Sequence, residues 1–142
     1  MKKGIVSQVF IYIFAVIVIA LIMFFGFKQI VNLKDLTEKS VYISFKSDFS
    51  KAVDSVYYLN KGSVLSFEKN SRNKPLDVPK EINKICFEQN KVLLNSEKYQ
   101  NFAVNNLYGA ECISTDNGKL NFRLENVVEN GEVIVKISHV GT

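Results

Sequence analysis

Apolar and polar positions change their pattern twice along this chain. From Val9 to Phe27 nineteen consecutive residues are apolar (VFIYIFAVIVIALIMFFGF). At ~1.5 Å of rise per residue that run spans roughly 28 Å as a helix, close to the ~30 Å hydrocarbon thickness of a bilayer. After Phe27 the run breaks into a periodic pattern. Ile30, Leu33, Val41, Phe45, Phe49, Ala52, Val53 and Val56 recur mostly three or four apart, which predicts a helix with one apolar stripe. Lys34, Glu38, Lys46, Asp48, Lys51 and Asp54 fall between them, and Lys34 with Glu38 and Lys51 with Asp54 stand at helical pair spacing. Beyond Gly62 short alternating runs take over, separated by turn residues.

Nothing obliges the first helix to stop at the membrane surface. No Pro occurs before Pro75, and no Gly lies between Gly26 and Gly62. The segment Val41–Phe45 (VYISF) also alternates at period two with β-branched residues, but no turn signal isolates it, so we assign it to the helix. One helix from about Ile5 to Leu59 follows, on the order of 80 Å long. Asn60, Lys61 and Gly62 supply its stop, with Gly suited to the left-handed position after a helix end.

The remainder predicts strands. Ser63–Phe67, Ile82–Phe87, Lys91–Leu94 and Ala110–Ser114 read as short strands, with a brief extension at Leu76–Val78. Gln89-Asn90 and Asp116-Asn117-Gly118 mark turns, and Glu68–Lys74 with Pro75 marks a loop. Ser96 is positioned to cap a short helical turn through Glu97–Leu107. The clearest local signal comes last: Leu120, Phe122 and Leu124 alternate with polar residues, Val133, Val135 and Ile137 do the same, and Asn130-Gly131 lies between them. That pair suits a type I′ turn and predicts a β-hairpin. The fold class expected is α+β: a long N-terminal helix, transmembrane and then amphipathic, packed on a C-terminal antiparallel sheet of four to six strands. Such a sheet is too small to stand unpacked, and the helix stripe supplies its partner. The corresponding divisions are a basic leader (1–4), a membrane helix (5–27), its amphipathic continuation (28–60) and the sheet domain (61–142).

Charge narrows the function classes. The 142 residues carry 18 Lys and Arg against 14 Asp and Glu, and all but Lys2 and Lys3 of these lie beyond Phe27. Both signs alternate there, as on a solvated surface, and no basic stripe for nucleic acid appears. The N-terminal segment has three readings. A secretory signal has an apolar stretch of about 7–15 residues and a small-x-small cleavage site; this run is longer, and Phe25, Gly26, Phe27 and Lys28 offer no such site. A plain membrane anchor fits. So does a prepilin-type leader, a very short basic segment ending in Gly, for which Lys2, Lys3 and Gly4 have the form. Positive charge stands on both sides of the span, so it does not set the orientation. Cys86 and Cys112 are the only cysteines. They are compatible with a disulfide in an oxidising compartment, and equally with two buried free thiols in strands.

The inventory for catalysis is thin, and we expect no enzyme and no cofactor. His139 is the single His and neighbours Ser138 in a strand pattern, where successive side chains point to opposite faces. Two Cys and one His do not complete a zinc site. Glu125 and Glu129 are paired carboxylates on exposed hairpin positions. The rings of Phe10, Tyr12, Phe14, Phe24, Phe25 and Phe27 sit in the apolar run; lipid contact explains them, and packing of the helix against its own copies is the sharper alternative.

The leader ending in Gly4, the apolar helix after it, the amphipathic continuation and the C-terminal sheet together resemble the layout of type IV pilins and pilin-like proteins, particularly archaeal ones. The resemblance implies cleavage between Gly4 and Ile5 by a prepilin-type peptidase, a helix that serves as fibre core and a sheet domain at the surface. Ser7, third after that cut, agrees with a pattern frequent in archaeal members. Two positions depart from it: Ile5 stands where some archaeal members begin with Gln, and Val9 stands where many members carry a Glu that registers neighbouring subunits. The expectation is a single-pass membrane protein exposing a β domain outside the cell, with the lipid bilayer and copies of itself or a membrane complex as partners. The alternative is a non-polymerising anchored binding module or accessory subunit.

Overall fold

The computed structural model describes residues 3–140. The chain divides into two compact units, Met1–Glu38 and Lys39–Thr142, and one helix, α1 (Lys3–Tyr57), supplies all the described structure of the first and the opening element of the second.

In the first unit α1 buries nothing. Its large apolar side chains, such as Ile5, Phe10, Phe14, Ile17, Phe27, Ile30 and Leu36, are more than half exposed, and Val18 is partly covered. In the second unit the same helix becomes one-sided. Phe45, Phe49, Ala52, Val53 and Val56 are buried, with Tyr42 packed at the edge of the core, while Lys46, Asp48, Lys51 and Asp54 face solvent. The expected stripe is thus confined to its later members; Ile30 and Leu33 stand outside the core at 64% and 59% exposure. Val41–Phe45 is helical, and Ser50 and Ser55 satisfy their hydroxyls by donating to the carbonyls of Lys46 and Lys51 within it.

Among the described residues ten strands follow: β1 (Val64–Phe67), β2 (Leu76–Asp77), β3 (Lys84–Glu88), β4 (Lys91–Leu94), β5 (Phe102–Ala103), β6 (Leu107–Tyr108), β7 (Cys112–Ser114), β8 (Lys119–Leu120), β9 (Phe122–Glu129) and β10 (Glu132–His139). They form three sheets rather than the single one expected, ordered β1-β9-β10-β6, β2-β8 and β5-β4-β3-β7. All pairs are antiparallel except β10 with β6. The predicted hairpin is β9–β10, turning at Asn130 and Gly131 with φ of 53° and 83°, the left-handed pair that a type I′ turn needs.

The segment 97–107 is not a helical turn. Ser96 Oγ accepts from the Lys98 amide two residues on, and Asn101 Oδ1 accepts from the Leu94 amide. The Val104 amide donates to the Asn90 carbonyl. These bonds commit the segment to extended structure, and Tyr99, Phe102, Val104 and Leu107 anchor it by burial.

One connection stitches the two larger sheets together. β6 pairs with β10 of the first, and three residues after its end the Glu111 carbonyl accepts from the Phe87 amide on β3 of the third. Gly109 lies between them, where an added Cβ would come within 2.6 Å of Ile137 Cγ2 and 2.9 Å of Phe87 Cβ. Only a residue without a side chain permits that approach. The helix covers the junction from the other side. The Phe49 ring lies 5.6 Å from Phe87, 5.5 Å from Phe122 and 6.5 Å from Phe102, so a single residue touches both sheets. Phe67 stacks on Phe122 at 4.7 Å and extends the same aromatic core.

Candidate functional site

Three features of this molecule can meet something outside it: the apolar helix of the first unit, the exterior surface of the β domain and the cysteine pair. The helix is the largest. Gly4–Tyr57 contains a stretch long and apolar enough to cross a membrane, none of it buried. Fully burying one large apolar side chain is worth about 1.5–3 kcal/mol relative to water. Val9, Phe10, Ile11 and Tyr12, spaced around the whole helix, are each more than half exposed, so the surface suits an apolar surrounding better than one docking face. Gly4 and Ile5, the expected processing position, stand in the first turns of α1, Ile5 at 67% exposure. Met1 and Lys2 of the expected leader lie outside the described residues.

The cysteines are joined, Cys86 to Cys112, directly opposed across β3 and β7. They are not the buried pair of the free-thiol alternative. Their β3 and β7 neighbours Ile85, Phe87 and Ile113 are buried, so the alternation of the strands turns both sulfurs to the solvent face. Cys112 is exposed and Cys86 half-buried.

His139 is exposed at the end of β10, where its backbone amide donates to Glu111 Oε2 at 3.3 Å. Ser138 lies half-buried beside it. Glu125 faces Val64 on one neighbouring strand and Lys136 on the other, an ordinary cross-strand charge arrangement. No group of three or more His, Cys, Asp or Glu able to hold a metal occurs among the described residues. Shallow hollows surround the small β2–β8 sheet, one of them lined by Lys69, Lys74, Asp116 and Lys119. Lys119 pairs with Asp77 directly across that sheet.

One functional position had no signal in the sequence. Asn126, on β9 and 2% exposed, caps the C-terminal end of α1: its Nδ2 donates to the carbonyls of Val56 at 2.9 Å, Tyr57 at 3.1 Å and Leu59 at 3.1 Å. Val56 and Tyr57 belong to the last turn, where carbonyls lack the next amide of the helix, although Val56 also accepts from the Leu59 amide at 3.1 Å. Turning the amide over would set Oδ1 against three carbonyl oxygens, which fixes its orientation. The backbone of Asn126 also exchanges bonds with Ser63 and Gly62, so the end of the helix and the start of β1 are held by one residue. Near the opposite end of the buried stripe Tyr42 donates its hydroxyl to the Gln100 carbonyl at 2.7 Å, and burial raises its phenol above the ordinary value.

No family model, no curated protein and no solved structure matches this chain.

Proposed function

We propose that this chain is a single-pass membrane protein of pilin-like design, a structural or interaction subunit that presents its β domain outside the cell. The observation that carries the reading is the double use of α1: its first turns expose apolar side chains on all sides, and its last turns form the core of a β domain. The Cys86–Cys112 bridge supports an oxidising compartment for that domain. Lys2, Lys3 and Gly4 supply the short basic leader, and Ile5 begins the processed chain.

Mass measurement of the native N-terminus tests this directly. Loss of residues 1–4 from the membrane-associated product is the expected result, whereas an intact Met1 leaves a plain anchor and overturns prepilin-type processing. Val9 favours a second reading, an anchored accessory subunit that does not polymerise, because a carboxylate for registering neighbouring subunits is absent from that position. Ala20→Leu separates the two. It fills a small-residue notch of the kind that lets membrane helices approach, so a polymerising subunit loses assembly and a solitary anchor is unaffected.

A further inference from the structure

The Cys86–Cys112 bridge is asymmetric in a way that matters for thiol chemistry. Exchange at a disulfide proceeds when a thiolate attacks one sulfur along the axis of the S–S bond and the other sulfur leaves. Here the two cysteines face each other across adjacent strands, so the bridge spans β3 and β7, and each sulfur is approached from the side of its own strand away from its partner. β7 is an edge strand in the order β5-β4-β3-β7. Among the described residues no further strand of that sheet lies behind Cys112, and the residue is exposed. Behind Cys86 lies β4, where Leu93 sits in direct register with it. Leu93 and Cys86 are both half-buried on the same face.

We infer that this bridge is a regioselective thiol-exchange site, at which an external thiolate bonds to Cys112 Sγ and Cys86 departs as the thiolate. The partner is a small thiol or the reactive cysteine of a dithiol oxidoreductase. In the first step the attacking sulfur forms a mixed disulfide with Cys112, the Cys86–Cys112 bond breaks, and its electron pair stays on Cys86. Lys84 and Glu88 stand two residues to either side on the same face of β3, so their charges offset, and the Cys86 thiolate takes a proton from water. A second thiolate of the partner resolves the mixed disulfide, so two thiols are oxidised for each bridge reduced. The core residues Ile85, Phe87 and Ile113 point the other way, and opening the bridge removes none of them from the interior.

The test treats the full-length chain in detergent with glutathione, quenches with acid, alkylates with N-ethylmaleimide and maps both cysteines by mass. The expected result is glutathione on Cys112 and maleimide on Cys86, in excess over the reverse pattern by on the order of tenfold. Equal labelling, glutathione mainly on Cys86, or reaction only after denaturation would overturn the inference. Leu93→Ala provides the second arm, since it opens the rear of Cys86. The share of glutathione on Cys86 should rise severalfold while the rate of Cys112 adduct formation stays at the wild-type value, which also reports that the variant has folded. An unchanged distribution in that variant refutes the blocking role of Leu93 and the inference with it.

Discussion

The two stretches of α1 hold similar residues and use them in opposite ways. Phe14 is 62% exposed, and Phe49, about ten turns further along the same helix, is fully buried. Hydrophobicity does not distinguish them; the placement of charge does. Before Lys28 no charged residue interrupts the apolar run, so no side of the helix is polar enough to face water while another packs. After Lys39 the residues Lys46, Asp48, Lys51 and Asp54 claim one side and leave a single stripe for the sheets. A uniformly apolar helix selects a solvent, whereas an amphipathic one selects a protein surface.

The comparison is broken most forcefully at its two extremes. Phe49→Ala removes the ring that touches Phe45, Phe87, Phe102 and Phe122 at once, and should cost about 4 kcal/mol of unfolding free energy. Ile30→Ala, on the same helix and equally apolar, should leave the denaturant midpoint of the β domain within about 0.5 kcal/mol of the wild type. Equal effects from the two would mean that the first stretch also packs against the domain.

Asn126 sharpens the comparison from the other end of the stripe. Asn126→Leu keeps the volume but leaves the carbonyls of Val56, Tyr57 and Leu59 without their shared donor. At about 1 kcal/mol for each lost bond the loss is roughly 2–3 kcal/mol. Asn126→Asp should be worse than the leucine variant, because a buried carboxylate then faces the negative end of the helix. Chemical denaturation of the three proteins side by side checks the order. If aspartate is tolerated better than leucine, the amide does not act as a cap.

These contrasts also show which parts of the fold a reader could take from the sequence. The helix, the hairpin at Asn130-Gly131 and most strand positions are written in local periodicity and turn chemistry, so they were legible. What decides the architecture is not local. The joining of the two larger sheets depends on Gly109 fitting between Ile137 and Phe87, residues far from it in the chain. Asn126 looks like any polar residue of a strand until the helix end arrives beside it. The segment 97–107 misled because Ser96 does bond a nearby amide, but Asn101 and Asn90 draw the backbone into extended structure instead. The two cysteines were visible as a pair; their register across β3 and β7, and the Leu93 that makes them unequal, were not.

Tyr42 gives the smallest effect and marks where the buried part of the helix begins. Its hydroxyl reaches the Gln100 carbonyl at a site open to solvent, so Tyr42→Phe should cost about 0.5 kcal/mol near neutral pH. Burial raises the phenol above its unfolded value near 10, which means that the native state favours the neutral form. The stabilisation is therefore complete below pH 10 and fades as the pH climbs through the raised folded value. Tyrosinate has no proton to donate to Gln100, and its ring lies against those of Tyr99 and Phe102. The difference in stability between the wild type and the phenylalanine variant should shrink above pH 10. Urea titrations of both proteins across that range would measure it, and a difference that stays constant would show that Tyr42 lies outside the buried stripe, shifting the boundary between the two stretches toward Phe45.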